Sequence, residues 1–166
     1  MSFASETKAE LCQSRVEKRG LALAECYGIL LYCNTFHASE IRIITASVDL
    51  AERLPRLFKK AFSVSFDQLP PAHAQGKRSF SILNGEKIAQ ILDGFGSDAK
   101  GPLSHHINLG VLEDPGCPEA FVRGAFLAGG SVTDPEKRFH LELATSHQSV
   151  SRELRSLLLE MDLDPR

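Results

Sequence analysis

The order of predicted elements repeats along this chain of 166 residues, and that repeat limits the folds open to it. Hydrophobic periodicity predicts helix, strand, strand, helix, strand, strand, helix over residues 18–95. Residues 118–166 predict the first four of those elements again. An internal repeat favours two halves that pack about a pseudo-two-fold axis. On this pattern the second half lacks its last hairpin and helix, so we expect it to be incomplete.

Small residues on the helix that opens each half support packing of the halves at that axis. Ala24 and Gly28 lie four residues apart in the first such helix, and Gly124 and Ala128 have the same spacing in the second. Residues four apart share a helix face, and small side chains there let two helices approach closely. Small residues are also common in core helices, but their recurrence on both repeat-related helices favours helix-on-helix packing.

Local patterns predict the other helices. A first helix is expected over residues 7–13, where Thr7 and Glu10 fit a capping box. Pro55 lies inside a helix predicted over residues 48–61, so a kink or a split is expected there. Asn84 and Ser146 are expected to cap the two later helices, and residues 97–117 form a long connector with a short helical piece at 106–112.

Alternation predicts strands with one apolar face and one polar face. Strands are expected over residues 35–38, 40–46 and 62–69, with a hairpin loop over 70–76. A strand over residues 77–83 is expected to turn Lys77, Ser79 and Ser81 outward. In a strand over residues 138–145, the expected apolar face consists of Phe139, Leu141 and Leu143.

Composition indicates an ordinary globular chain without the basic balance of a strong DNA-binding domain. The net charge is −2, hydrophobic residues make up 43% and charged residues 24%. The N-terminus lacks the apolar segment of a signal peptide, and the apolar stretch at 21–33 is too short to span a bilayer, so a cytoplasmic protein is expected. Buried, reduced thiols are expected for all the cysteines: Cys12, Cys26, Cys33 and Cys117.

One stretch carries a family resemblance. Residues 123–132 read RGAFLAGGSV, and DPE at 134–136 and FHLE at 139–142 follow. This stretch resembles the hallmark segment of the WhiA family of bacterial transcription regulators. The opening residues SFAS with Lys8, Glu10 and Leu11 resemble its N-terminal signature, and the helix around Gly28 resembles the first LAGLIDADG helix.

The resemblance implies an α+β fold of the LAGLIDADG homing-endonuclease type. Two αββαββα repeats would lie about a pseudo-two-fold axis, with a saddle-shaped sheet that covers DNA in the nuclease relatives. Family members add a C-terminal helix-turn-helix domain, which is absent from this sequence, and they regulate sporulation or cell-division genes. The implied organisation is an N-terminal helical extension, a first repeat, a linker and an incomplete second repeat, over residues 1–17, 18–96, 97–117 and 118–166.

Nuclease chemistry in that fold needs a carboxylate at the end of each central helix, where the pair holds divalent metal ions. The equivalent positions read Tyr32-Cys33-Asn34 and Ala128-Gly129-Gly130, with no Asp or Glu. Asp134 and Glu136 are nearby in sequence, but Asp134-Pro135 is typical of a turn. The sequence therefore predicts no metal site, no cofactor and no cleavage.

Candidate DNA contacts are cations expected on the outward face of the sheet. They are Arg42, Lys77, Arg78, Arg138 and His140, although alternation would turn Arg78 inward. The same outward cations are equally well explained by a sheet face that contacts only water. His105 and His106 are adjacent and are expected to be surface loop residues rather than metal ligands.

Three functions remain open from the sequence. The favoured one is a non-catalytic domain of a DNA-binding regulator, nucleoid-associated and with most DNA affinity in the missing helix-turn-helix. Another transcription regulator is a further expected partner, and a membrane is not. The alternatives are a protein-interaction module that does not contact DNA and, less favoured, an active endonuclease. No residue pattern separates the first two functions.

Overall fold

Helices alternate with short antiparallel strands in the structure, a computed structural model that describes residues 2–96 and 106–166. The expected α+β class is confirmed. The elements in chain order are α1 (Phe3–Leu11), α2 (Arg19–Tyr32), β1 (Thr35–His37), β2 (Glu40–Thr45), α3 (Val48–Phe62), β3 (Arg78–Ile82), α4 (Gly85–Gly94), a 3-10 turn (Leu109–Leu112), α5 (Cys117–Gly129), β4 (Gly130–Val132), β5 (Leu141–Leu143) and α6 (Gln148–Glu160).

The first sheet has the order β1-β2-β3 and is antiparallel throughout. One of its faces is buried in the core and consists of Phe36, Ile41, Ile43, Phe80 and Ile82. Arg42 pairs with Thr35 on one side and Ser81 on the other, so these three side chains share the opposite face. Ser81 nevertheless is only 6% exposed, because Gln68 forms an isolated bridge beside it.

Helix α2 is the centre of the core, as its apolar sequence predicts. Every residue from Ala24 to Tyr32 is buried. Such burial all round a helix requires partners on several sides. Helices α3 and α5 pack against α2, and the apolar faces of α4 and α6 complete the same core cluster through Ile88, Ile91, Leu92, Val150, Leu154 and Leu157.

The prediction of a strand over residues 62–69 is wrong. Helix α3 runs on to Phe62 and ends at Ser63, whose φ of 57° is left-handed. The chain that follows makes ladder hydrogen bonds only around Ser81, where Gln68 N donates to Ser81 O at 3.1 Å and Ser81 N donates to Gln68 O at 3.0 Å. Pro70 and Pro71 stop the pairing because proline has no N–H to donate. No hairpin therefore forms over residues 70–76.

Asp67 fixes this segment to the start of α4. Its carboxylate accepts hydrogen bonds from the N–H groups of Leu83 at 2.7 Å and Asn84 at 2.8 Å, and it pairs with Lys87 Nζ at 2.5 Å. Asn84 in turn caps α4, as expected, by accepting from the N–H groups of Glu86 and Lys87.

The start of the first helix needs correction, and the alternatives left open at Pro55 are narrowed. Helix α1 begins at Phe3, and its capping box joins Ser2 and Ser5 by reciprocal hydrogen bonds, whereas Thr7 donates its hydroxyl to Phe3 O at 2.8 Å inside the helix. Of the kink or split expected at Pro55, the split does not occur, because helix α3 is continuous through this residue. Buried residues on both sides of Pro55 anchor both halves of α3 to the core and offset the hydrogen bond that proline removes.

The strand predicted over residues 138–145 is much shorter in the structure. Only β5 pairs with β4, in the register Gly130↔Leu143 to Val132↔Leu141. Phe139 is 92% exposed and Leu141 61% exposed, and of this face only Leu143 packs partly against the core. Helix α6 begins after His147 rather than after Ser146, since Thr145 holds the turn by accepting from His147 N and donating to Leu31 O.

The cysteines form no disulfide. Cys26 and Cys117 are buried as expected, whereas Cys12 and Cys33 are half-buried. Burial raises the pKa of all four thiols, to about 11 for Cys12. Among the described residues, no helix combines the length and the apolar character that crossing a membrane requires.

Replacing Asp67 with asparagine is expected to reduce the amount of unfolding free energy that the protein loses as the pH falls. The Lys87 ammonium, and then the N–H groups of Asn84 and Leu83, lower the pKa of Asp67 from 3.8 to about 2. Because the folded-state pKa is depressed, the carboxylate stabilises the fold above its unfolded pKa, and this contribution is lost as the pH falls towards 2. The effect should be modest because the side chain is partly exposed.

Urea unfolding midpoints from about pH 6 to about pH 2 measure this effect. Asp93→Asn, an exposed carboxyl on α4, is the matched control and should keep the native acid dependence. Parallel pH profiles for the native chain and Asp67→Asn would contradict the assignment.

Candidate functional site at the helix axis

Helices α2 and α5 touch backbone to backbone. A Cβ atom added to Gly28 would overlap the carbonyl oxygen of Phe121, and one added to Gly124 would overlap the carbonyl oxygen of Glu25. Each glycine thus faces the carbonyl three residues before the other glycine. This reciprocal geometry is that of a local two-fold axis between the helices, and only glycine leaves room for it.

The other two residues expected at the axis flank this contact. Ala24 is fully buried, and Ala128 is half-buried at the far end of α5. Beyond Ala128, a Cβ atom on Gly129 would lie 3.1 Å from Tyr32 O and 2.6 Å from Ala144 O. The close approach therefore continues to the C-terminal ends of both helices.

Neutral groups occupy those helix ends. The Cys33 thiol donates to Leu30 O at 3.2 Å, and burial raises the pKa of Cys33 to about 12. Asn34 Oδ1 accepts from Ile44 N at 2.9 Å, so this amide oxygen holds the end of β2. The Tyr32 hydroxyl is buried, has no hydrogen-bond partner in the described part of the chain, and has its pKa raised by burial.

The donor set does not fit the divalent metal ions that the resemblance to LAGLIDADG nucleases implies at these helix ends. Mg²⁺ and Ca²⁺ bind anionic and carbonyl oxygen atoms, and a protonated thiol is no substitute for a carboxylate. Positions 32–34 and 128–130 offer no acidic side chain. Within residues 2–96 and 106–166, no three His, Cys, Asp or Glu side chains are grouped as a metal site needs.

A buried ionic cluster, which the sequence reasoning missed, lies beside the helix contact. Glu25 on α2 is fully buried and pairs with Arg53 of α3, at 2.7 Å and 2.9 Å, and with Arg123 Nε of α5. Arg53 also donates to Ser14 O at 2.6 Å and to Cys12 O at 3.1 Å. One carboxylate therefore ties three helices and the segment after α1 together.

Two sequence signals point to this cluster in retrospect. Glu25 interrupts an otherwise apolar helix, and Arg53 follows Leu50 by three residues, which places it on the buried face of α3. Buried charges are paired in nearly all proteins, so each residue required a partner. The sequence does not show which residues pair, because Arg53 and Arg123 lie 28 and 98 positions from Glu25.

Residues 106–108, in the segment predicted to connect the two repeats, are hydrogen-bonded to helix α2 through Tyr27. The Tyr27 hydroxyl donates to His106 O and accepts from Asn108 N at 2.8 Å. Glu153 of α6 accepts from Ile107 N and lies 2.7 Å from His106 Nδ1. His106 is thus an exposed connector residue with an acidic neighbour, and His105 lies outside the described residues.

The candidate DNA contacts are spread over both sheets. Arg42 is exposed on the outward face of β2, 3.6 Å from Glu40, and Lys77 is exposed just before β3. Arg78 donates to Gly76 O and Ala74 O, so its guanidinium folds back on the preceding loop. Arg138 and His140 are exposed before β5 rather than on a strand, and His140 lies 3.4 Å from Glu142. No hydrogen bond or ion pair joins any two of the five in the described chain.

Comparison with known proteins decides the fold family. The family profile described as "WhiA LAGLIDADG-like domain" matches residues 118–166. The crystal structure of the N-terminal LAGLIDADG domain of DUF199/WhiA aligns with a TM-score of 0.68 at 20% identity, over 96% of this chain and 75% of that one. The fold is that of the WhiA LAGLIDADG domain. Full-length DUF199/WhiA from Thermatoga maritima aligns with a TM-score of 0.69 at 20% identity, over 96% of this chain and 50% of that one.

Curated WhiA relatives match over almost the whole chain. "Probable cell division protein WhiA" of Alkaliphilus oremlandii is 32% identical over 98% of this chain and 55% of its own length. The proteins of the same name from Alkaliphilus metalliredigens and Staphylococcus aureus USA300 are 28% and 31% identical, over 100% of this chain and 56% and 55% of their own lengths. The chain spans about half the length of these relatives. The WhiA resemblance noted in the sequence is thus confirmed.

Substituting alanine for Gly28 is expected to destabilise the domain by about 3 kcal/mol, because the new methyl group forces two backbones apart. Gly85→Ala is the matched control: a Cβ atom there meets nothing within 4 Å, and the change should be neutral or slightly stabilising. Chemical denaturation measures both variants. Equal stability of Gly28→Ala and Gly85→Ala would show that the helices do not meet at Gly28.

Replacing Glu25 with glutamine is expected to cost about 3 to 5 kcal/mol, since two arginines near the core lose their counter-charge. The control is Glu40→Gln, which removes a partly exposed partner of Arg42 and should cost less than about 1 kcal/mol. Urea unfolding of both variants at neutral pH provides the comparison. A Glu25 variant as stable as the Glu40 variant would refute the role assigned to the cluster.

Proposed function

We propose that this chain is the non-catalytic LAGLIDADG-like part of a DNA-binding transcription regulator that controls cell-division or sporulation genes. The observation that carries the proposal is the neutral pair of helix ends, at Tyr32–Asn34 and Ala128–Gly130, at the axis of a WhiA-type fold. Curated relatives named as cell division proteins support the cellular role.

The proposed organisation retains the four segments expected from the sequence, over residues 1–17, 18–96, 97–117 and 118–166. DNA and a second transcription regulator are the proposed partners, and the proposed location is the cytoplasm, at the nucleoid. In the longer relatives, the part beyond this chain is proposed to provide most of the DNA affinity.

DNA contact by this part is proposed to be weak and to depend on few phosphates. Arg42 and Arg138 are exposed, but Glu40 lies beside Arg42 and Glu142 beside His140, which lowers the positive potential of this surface. The acidic neighbours are the observation that favours the second candidate, a protein-interaction module without DNA contact. Arg78 is the weakest contact candidate, because backbone carbonyls already occupy its donors.

Mobility shift of duplex DNA at low salt tests the proposal. The native chain should bind weakly, and Arg42→Gln/Arg138→Gln should bind several-fold more weakly, with a salt dependence reduced by up to about two phosphate contacts. Arg152→Gln/Arg155→Gln, which removes the same charge from exposed positions on α6, should bind like the native chain. No binding by the native chain would favour the protein-interaction candidate, and equal losses in both double variants would show that Arg42 and Arg138 are not the DNA contact.

Supercoiled plasmid incubated with the chain and Mg²⁺ or Mn²⁺ tests the absence of cleavage. The plasmid should stay supercoiled, because no carboxylate lies at the positions that hold the metal in nucleases of this fold. Metal-dependent nicking that persists through purification would overturn the non-catalytic assignment.

A further inference from the structure

A group of cations lies on α3 and on the segment that joins α1 to α2. Arg15, Arg56, Lys59 and Lys60 are all exposed. In the described part of the chain, none of the four forms an ion pair. They differ in this respect from Arg42 and His140, whose acidic neighbours weaken the positive charge of the sheets.

Two adjoining grooves run between these cations. One, of about 830 Å³, lies along the C-terminal half of α3 and is lined by Arg56, Lys59 and Lys60 together with apolar side chains. The other, of about 510 Å³, lies between α3 and residues 12–17. Arg56 and Lys60 line both grooves, which therefore lie side by side and are together called the α3 groove.

The α3 groove has a local excess of positive charge in a chain whose net charge is −2. Glu17 is the single acid among the lining residues of the two grooves. Arg53 also lines the groove, but Glu25 neutralises it. Four exposed cations against one acid make this surface complementary to a negatively charged partner.

The apolar part of the groove indicates which kind of polyanion fits. Pro55, Val64, Phe66 and Leu69 line the wall beside the lysines, and Leu69 is 60% exposed. A single-stranded nucleic acid would use an exposed ring on which to stack its bases, and duplex DNA would contact the cations through its phosphates without using an apolar wall. Phe66 is only 8% exposed, and its ring packs against Phe58 at 4.8 Å and Phe80 at 5.3 Å. The groove thus offers aliphatic contact and positive charge but no stacking surface.

We propose that the α3 groove binds an acidic, leucine-containing peptide segment of a partner protein. Leucine side chains of the peptide contact Pro55 and Leu69, and its carboxylates face Arg56, Lys59 and Lys60. This mode combines an apolar anchor with charge pairing at the rim, as in other amphipathic peptides held in grooves. The site is separate from the sheet surface proposed to contact DNA.

Fluorescence anisotropy with a labelled synthetic peptide tests the proposal. The probe is a peptide in which leucines at positions i, i+3, i+4 and i+7 are separated by glutamates. The native chain should bind it with an affinity that falls as salt is added. Arg56→Gln/Lys60→Gln should weaken binding by at least about tenfold, because these two residues contribute to both parts of the groove.

Matched controls separate the groove from general charge effects. Arg152→Gln/Arg155→Gln removes the same charge from α6 and should bind the peptide like the native chain. Leu69→Ser should weaken binding without a change in charge. Lys59 and Lys60 also face the C-terminal end of the α3 dipole, so thermal unfolding of each variant verifies that the fold is kept.

Two altered peptides serve as further controls. One has glutamine in place of glutamate, and the other has serine in place of leucine. Each should bind at least about tenfold more weakly than the original peptide. No binding of the original peptide would overturn the proposal. So would equal loss in the groove and α6 variants, or a duplex DNA probe that binds the groove more tightly than the peptide does.

Discussion

The contact between the backbones of α2 and α5 is the constraint on which the rest of the structure depends. Gly28 and Gly124 each face a carbonyl of the opposite helix, so the crossing point is fixed to one pair of residues. Strand β1 starts at Thr35, three residues after α2 ends, and β4 starts at Gly130, directly after α5. The start of each sheet is therefore tied to the same contact, and the residues that end the two helices lie close together.

The Glu25 cluster explains why three helices share one arrangement around that contact. Burying a carboxylate is costly, and its attraction to Arg53 and Arg123 offsets the cost only when both arginines are correctly placed. A rotation of α3 or α5 about its axis would leave a charge without its partner. Apolar contacts alone tolerate such shifts more readily. We infer that the cluster selects one packing of the helices more than it adds net stability.

Sequence reasoning located most helices and the axis, because their signals are local: a run of apolar residues for α2, a cap at Asn84, and small residues at Gly28 and Gly124. It failed where tertiary contacts outweigh a local pattern. The apolar residues predicted as a strand over 62–69 form the end of α3 and the segment after it, and Phe139 and Leu141 stay exposed in spite of their alternation. Of the candidate site, the neutral helix ends were readable from position alone. The Glu25 partners and the α3 groove were not, because residues far apart in sequence form them.

The central claim is that the axis keeps the close-packed helices of a LAGLIDADG fold while its ends have no group that holds a hard dication. Nuclear magnetic resonance of the isotope-labelled chain during titration with Mn²⁺ tests it most directly, since a bound paramagnetic ion broadens nearby amide signals. The account predicts that Tyr32–Asn34 and Ala128–Ser131 broaden no more than the rest of the chain. Selective, saturable broadening at both helix ends would contradict it.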